Sequence, residues 1–458
     1  MLNRLYQQAY EKLYFPVFED VIKRRETCAF YRRSLESQWF PQPVLEAQRK
    51  EQLAVLLGHA YRYCPYYRDL LEDAGFSPQR GLDDTQFSRL PLLTKAVIRE
   101  NFPRLVSSAH RGTLWAKATG GSTGDPLQFG ITKLSYSWRM AMSKRGYSWA
   151  GARPGTKQAY IWGLPLDPVP PFKKLKEYMQ RHLDRQLYFN CFDFSEEQMH
   201  SCLQQLNSYK PSVVIGYTNP LYHLALYIEQ TGKVAFSPKG VISAAEPLQS
   251  FQRETLERVF GCKVFNTYGA REFMLIGAEC ERHEGLHLSA ENLYVEVLKE
   301  DGTPAADGEM GRVVVTDLHN FGMPFIRYEI GDLVVACGHS CSCGRGLPLV
   351  SHVVGRSLDM IRLPNNKLVP GEFFPHMFKD YPEVSRFQVV QERLDHIVVK
   401  IVPLSELSQV RLQALEKQIR LAVGGSMRLD FSFCDSIPLN ATGKHRVTIS
   451  RIHGGAHD

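Results

Sequence analysis

From Leu2 to about Phe102, apolar residues recur at every third and fourth place, as in the run from Leu45 to Leu57, which predicts a series of charged amphipathic helices. Beyond Thr113 the rhythm changes. Short β-rich runs at 158–162, 212–216, 240–243, 263–266 and 311–316 are separated by stretches long enough for crossover helices, 195–206, 220–231 and 248–260. Such alternation predicts an α/β plan with at least partly parallel sheets. After Arg356 the pattern becomes a strand over 395–402, a helix over 406–422 and a strand over 427–433, as in a small α+β domain. The expected organisation is a helical part at 1–102, an α/β core at 103–354 and a C-terminal domain at 355–458.

A length of 458 residues, 44% of them hydrophobic, is enough for more than one core. The net charge of +7, from 55 basic and 48 acidic residues, is spread without a long Lys/Arg block. This argues against a dedicated nucleic-acid binder and suits a small anionic substrate. No apolar run approaches the roughly 20 residues of a membrane span, and the N-terminus lacks a signal-peptide core. A cytoplasmic location is expected. Most of the ten cysteines look like isolated thiols; Cys280, Cys337, Cys341 and Cys343 invite grouping.

Four segments carry candidate chemistry. Thr119, Gly120, Gly121, Ser122, Thr123 and Gly124 form a loop whose glycines let amides turn inward and whose hydroxyls can reach phosphate oxygens. It is not a Walker A loop, because no Lys precedes its final hydroxyl residue, and taken alone such a run is more often a plain surface turn. The segment from Asn266 to Glu272 follows a predicted strand, where open α/β sheets bind ligands. Glu272 offers a carboxylate for Mg²⁺ beside a phosphate; an exposed helix-start Glu is the alternative. From Thr316 to Asp332 the chain sets an apolar-flanked Arg327 before Gly331 and Asp332, and that carboxylate can accept both hydroxyls of a ribose. Lys444, after Gly443 in a polar loop, can bring an ammonium to a phosphate and a carboxylate together.

In this order and separation the four segments resemble the acyl-adenylate-forming superfamily, and within it the phenylacetate-CoA ligase-like group that includes capsule-biosynthesis adenylate-forming proteins. The segments His59 to Arg68 and Leu90 to Lys95 look like that group's N-terminal signature. The resemblance implies a large N-terminal domain of αβαβ layers with a small mobile C-terminal lid. It implies that the loop Thr119 to Gly124 grips the β and γ phosphates of ATP, and that Ala245, Glu246 and Pro247 line the adenine and acyl pocket. Tyr268 and Gly269 would meet adenine, Glu272 would hold Mg²⁺, and Asp332 would bind ribose. Arg356 would open the small domain, and Lys444 would be the adenylation lysine. The implied activity converts a carboxylate to acyl-AMP and passes the acyl group to a thiol, most often coenzyme A. Leu358 stands where many relatives carry an Asp or Lys pivot, which leaves the rotation step less defined.

Cys280, His287, Cys341 and Cys343 are the favoured Zn²⁺ ligands, with His283, Cys337 and His339 as substitutes and free thiols as the alternative. Some members of the resembling group bind zinc at corresponding Cys, His and Cys-x-Cys positions. Tyr217, Ala244, Ala245, Phe273 and Met274 suggest an apolar acyl pocket. A small-molecule carboxylate is the expected partner, and a carrier protein in trans and a homodimer are the macromolecular ones. Two other readings are carried: adenylate transfer to a carrier protein, an amine or a saccharide, and a non-catalytic nucleotide-binding protein on the same fold.

Overall fold

The computed structural model describes residues 2–77, 81–119, 127–163, 170–191, 194–233, 236–356, 361–364, 368–369, 373–378, 380–381, 383–425, 427–438 and 446–452. Clustering of the backbone divides it into two units. One holds most of residues 1–352, and the other holds 353–458 with the short stretches 121–125 and 331–334.

The first unit begins with helices, of which Gln42–Tyr63 is the longest; Pro65 ends it, since a proline disfavours helical backbone in the residue before it. Next comes an antiparallel hairpin, β1 (Trp115–Ala118) and β2 (Gln128–Ile131). The main sheet then follows: β3 (Gln158–Trp162), β4 (Gln186–Asn190), β5 (Val213–Tyr217), β6 (Gly240–Ala244), β7 (Val264–Ala270), β8 (Met274–Glu279), β9 (Leu286–Leu288), β10 (Leu293–Leu298), β11 (Met310–Asp317), β12 (Tyr328–Cys337) and β13 (Leu349–Arg356). Its spatial order is β10-β11-β12-β13-β9-β8-β7-β6-β5-β3-β4. The predicted α/β class holds.

From β3 to β7 all pairings are parallel, and from β7 onward the pairings described are antiparallel. In the parallel half Val213 and Ile215 pack into one apolar cluster and Val214 into another. Period-two alternation with both faces apolar is what a sheet covered by helices on both sides requires. The chain runs from β3 outward to β4 and returns past β3 to β5, so β3 and β5 flank a switch point, where open α/β sheets leave a crevice at the strand carboxyl ends.

The second unit has a four-stranded sheet of order β18-β17-β16-β19, built from β16 (Val384–Arg393), β17 (His396–Pro403), β18 (Arg428–Phe433) and β19 (Thr448–Ser450), preceded by the small pair β14 (Ile361–Arg362) and β15 (Leu368–Val369). Helix Gln409–Val423 covers it, burying Leu415, Ile419 and Val423 against Ile397, Val399 and Ile401. This is the α+β tail expected from the sequence.

Candidate functional site

Three neighbouring parallel strands end together. At the tip of β5 stands Tyr217, its ring edge-on to Trp162 of β3 at 4.7 Å, so an aromatic pair marks the switch point. β6 runs straight into Ala245, whose φ of +68° is left-handed and rarely adopted by a residue with a side chain. Such local strain is commonly kept where a ligand needs it. Glu246 comes next, and its carboxylate accepts the Asn219 amide at 2.9 Å, at the start of helix Thr218–Thr231. The Thr218 hydroxyl sits 2.7 Å from Ser243 Oγ and donates to the Glu246 carbonyl at 2.9 Å. The turn after β6 is thereby locked to the helix after β5, and Pro247 follows, exposed.

β7 carries Tyr268, which is buried, and Gly269, where any Cβ would stand 2.3 Å from the Met274 carbonyl. Only glycine fits there. The segment continues into a turn and the antiparallel strand β8, where a helix-start glutamate was the sequence alternative. In that turn Glu272 is buried and accepts a hydrogen bond from Tyr328 Oη at 3.0 Å. Glu279, which sequence reasoning missed, anchors the other end of β8. It accepts from Arg253 at 2.7 Å and from the Asn266 amide at 2.8 Å, with His283 Nδ1 at 3.0 Å. Burial raises its pKa, but His283, Arg253 and the Asn266 amide outweigh that and leave it below the usual carboxylate value. Phe273, taken from the sequence as a pocket residue, is instead fully buried against Phe325 and Tyr328.

Thr119 sits at the foot of the β1–β2 hairpin, its hydroxyl accepting the Leu127 amide at 2.9 Å. Asp332 lies buried within β12 rather than in a turn, and Arg356 ends β13. Gly120, Gly121, Ser122, Thr123, Gly124 and Lys444 lie outside the described residues, as does the pivot position Leu358. The hairpin itself is tied down by the 316–328 segment. Asn320 donates to the Gly130 and Met323 carbonyls at 3.0 and 2.9 Å, and Asp317, with no exposed surface, accepts from Arg139 at 2.6 Å and Ser135 at 3.2 Å. Arg327 clamps Glu296 at 3.1 Å and donates to the Ser88 and Leu90 carbonyls, which makes it a tie between the N-terminal helices and the sheet.

A second cluster lies where the end of β8, β9 and the turn at 341–345 meet in the same unit. Cys280, His287, Cys341 and Cys343 bring their ligand atoms within 4.8 Å of one another. Cys280 Sγ and Cys341 Sγ are 3.6 Å apart, and Cys343 Sγ is 3.4 Å from His287 Nε2. The sulfur spacing is far beyond a disulfide bond of about 2.05 Å. Both distances match the edges of a tetrahedron drawn around zinc, roughly 3.5–3.8 Å for Zn–S and Zn–N bonds near 2.3 and 2.0 Å. The amides of Arg282, Cys343 and Arg345 each point at a sulfur two residues earlier, at 3.4–3.5 Å. Burial lowers the His287 pKa to about 4, with Arg345 adding to the effect, so its imidazole is neutral at pH 7. His283 is held at Glu279, and Cys337 and His339 form a separate group with Asp307.

The residues 361–451 match the family model of the CapK C-terminal domain. The chain is 28% identical to a phenylacetate-coenzyme A ligase of Thermus thermophilus over 81% of its own length and 84% of the relative's, and 23% identical to Protein CapK of Staphylococcus aureus over 84% and 85%. A 2-hydroxyisobutyryl-CoA ligase, crystallised in the postadenylation state in complex with an acyl-AMP named R3-HIB-AMP, superposes with a TM-score of 0.69 at 20% identity, covering 89% of both chains. The large sheet and the small C-terminal unit are the fold seen in adenylate-forming CoA ligases. Along most of its length the sequence is similar to phenylacetate-CoA ligases and to the capsule-type Protein CapK.

Proposed function

We propose that this protein is an ATP-dependent acid–thiol ligase, which joins a carboxylate to AMP with loss of pyrophosphate and then passes the acyl group to the thiol of coenzyme A. The observation that carries this reading is the row of strand ends at the β3–β7 crevice, where Tyr217, the left-handed Ala245 and the Tyr268–Gly269 pair stand side by side. The missing side chain at Gly269 lets the β8 backbone close against β7, which fixes the end of that strand beside the crevice. The Trp162–Tyr217 pair gives the crevice an aromatic wall and favours an acid with an apolar body.

In the reaction the carboxylate oxygen attacks the α phosphorus, and the protein's work is positioning and charge neutralisation. The loop Thr119 to Gly124 holds the leaving phosphates, Asp332 fixes the ribose, and Lys444 neutralises charge as it grows between carboxylate and phosphate. Glu272 would hold Mg²⁺, which when bound draws charge from the phosphates; Tyr328 orients that carboxylate. Residues 355–458 act as a lid that brings Lys444 for the first step and withdraws it for the second, with Arg356 at its base.

Carboxylate-dependent exchange of pyrophosphate into ATP, screened over aryl, fatty and hydroxy acids, is expected to respond to one class. Acyl-thioester should form only when coenzyme A is added. Exchange with no thioester would reassign the acceptor to a carrier thiol, amine or saccharide, and silence for every acid would favour a nucleotide-binding protein without catalysis.

The four-ligand cluster would hold structural Zn²⁺ through Cys280, His287, Cys341 and Cys343. The purified chain should contain one zinc per polypeptide, and Cys341→Ser should lose it and lower the thermal midpoint of the large unit. A chelator-washed protein with no zinc and an unchanged midpoint would remove the assignment.

A further inference from the structure

Helix Pro171–Leu183 is turned the wrong way round for a surface helix. Phe172, Leu175, Met179 and Leu183 recur at three and four and so share one face with Tyr178 beside them, yet all are exposed, Phe172 by 81% and Tyr178 by 68%. The covered side is the polar one. Glu177, Gln180 and Arg181 are half-buried; the Arg181 guanidinium lies 4.3 Å over the Tyr188 ring of β4, and Asp184, just past the helix, accepts a 2.5 Å bond from Tyr10 Oη. A helix that packs only for stability buries its apolar stripe, so this one is held in place by its polar edge while its apolar edge is left for something else.

That apolar edge continues onto the N-terminal helical segment. Tyr6 Oη donates to the Leu183 carbonyl at 2.7 Å, Arg185 sits 3.8 Å over the Tyr6 ring, and Leu5, Leu13, Val17 and Val21 of that segment are exposed. The combined surface is larger than the scattered single hydrophobics a monomer normally shows. Basic residues rim it: within the helix Lys174 and Lys176 are exposed beside a single acid, Glu177.

We infer that this face docks on an anionic lipid bilayer. An exposed apolar stripe with a lysine-rich margin fits the boundary between acyl chains and negatively charged headgroups, and the same helix lies on the surface without spanning it. A second copy fits less well, because a two-fold contact through this helix sets one basic margin against the other. Among the described residues no helix is long and apolar enough to cross a membrane, which agrees with a peripheral mode.

The test uses the full chain and flotation with vesicles of equal parts phosphatidylglycerol and phosphatidylcholine, beside vesicles of phosphatidylcholine alone. Binding is expected to the anionic vesicles, weakening as salt rises. The pair Phe172→Glu with Met179→Glu should lower the partition by at least about tenfold, since each side chain contributes through buried apolar area. The pair Lys174→Glu with Lys176→Glu should lower it several-fold without touching the apolar edge. Both variants change exposed side chains, so their thermal midpoints and pyrophosphate exchange in vesicle-free buffer should match the parent. Failure of the parent to float with anionic vesicles, or unchanged flotation of the Phe172→Glu and Met179→Glu pair, overturns the inference. Sedimentation showing a dimer that this pair dissociates, with no vesicle binding, would assign the face to a second copy instead.

Discussion

Lys444→Ala is expected to reduce carboxylate-dependent pyrophosphate exchange by about 10²–10³-fold, while ATP still binds within a few-fold of the parent affinity. The size follows from the removal of one donor that acts where charge develops, typically worth roughly 3–4 kcal/mol in the transition state. The split between the two measurements follows from the proposed division of labour: the loop Thr119 to Gly124, Asp332 and the adenine-facing residues bind the nucleotide whether or not the lysine is present. Just downstream of Lys444, Gln388 Nε2 donates to the Arg446 carbonyl at 2.9 Å and the Val389 amide donates to the Val447 carbonyl at 2.7 Å. The substitution removes a charge and leaves these bonds of the small unit's sheet untouched. Near-parental exchange, or loss of ATP binding in step with exchange, would place the adenylation cation elsewhere. Thioester formation from supplied acyl-AMP is the complementary readout and should survive the substitution.

Asp317→Ala is expected to destabilise the large unit by about 3–5 kcal/mol, because it leaves the Arg139 guanidinium buried without its counter-charge. The Arg139 side chain is 3% exposed and the carboxylate fully enclosed, so water cannot replace the lost partner. The same carboxylate accepts from the Ser135 hydroxyl and the His319 amide, and both would be stranded with it. Urea unfolding followed by tryptophan fluorescence, sensitive here through Trp138 beside His319, measures the effect. Replacing both charges, Arg139→Met with Asp317→Leu, should recover most of the loss, since a buried pair exchanged for apolar side chains is often neutral. A midpoint for Asp317→Ala within a few tenths of a kilocalorie of the parent would show that the pair is solvated in solution.

How much of this was legible in the chain depended on whether the information was local. Strands β3, β5 and β6 are runs of β-branched and aromatic residues between turn residues, and their pattern predicted them within a residue or two. β4, with Gln and Asn at its ends, and the short β9 carry no such pattern and were missed; their neighbours in the sheet define them. The grouping of Cys280, His287, Cys341 and Cys343 was legible because metal-ligand chemistry narrows the choice to a few residue types, while only the fold shows that His287, not His283, joins the three sulfurs. Glu272 illustrates the opposite case. Its candidate chemistry could be read from its place after a strand, but its burial depends on Tyr328, 56 residues further on, and no local rule signals that pairing. Asp317 and Asn320 stood within a segment singled out for its density, yet their structural task, holding the β1–β2 hairpin, needed the partners Arg139 and Gly130 to be seen.

The turn that follows the cysteine pair has a consequence for the order in which the molecule can be completed. Gly346 donates its amide to the Gln38 carbonyl at 3.0 Å, and Arg345 reaches the Gln38 side chain at 3.1 Å across 307 residues of chain. A side chain at position 346 would collide with the Phe40 carbonyl, so the two segments meet backbone to backbone. At a synthesis rate of about 5–20 residues per second, the Gln38 turn waits roughly 15–60 s on the ribosome before its partner exists. During that interval Trp39 lacks the Arg345 guanidinium that lies 4.7 Å over its ring in the finished unit, so this corner of the N-terminal helices closes only after most of the sheet has been made.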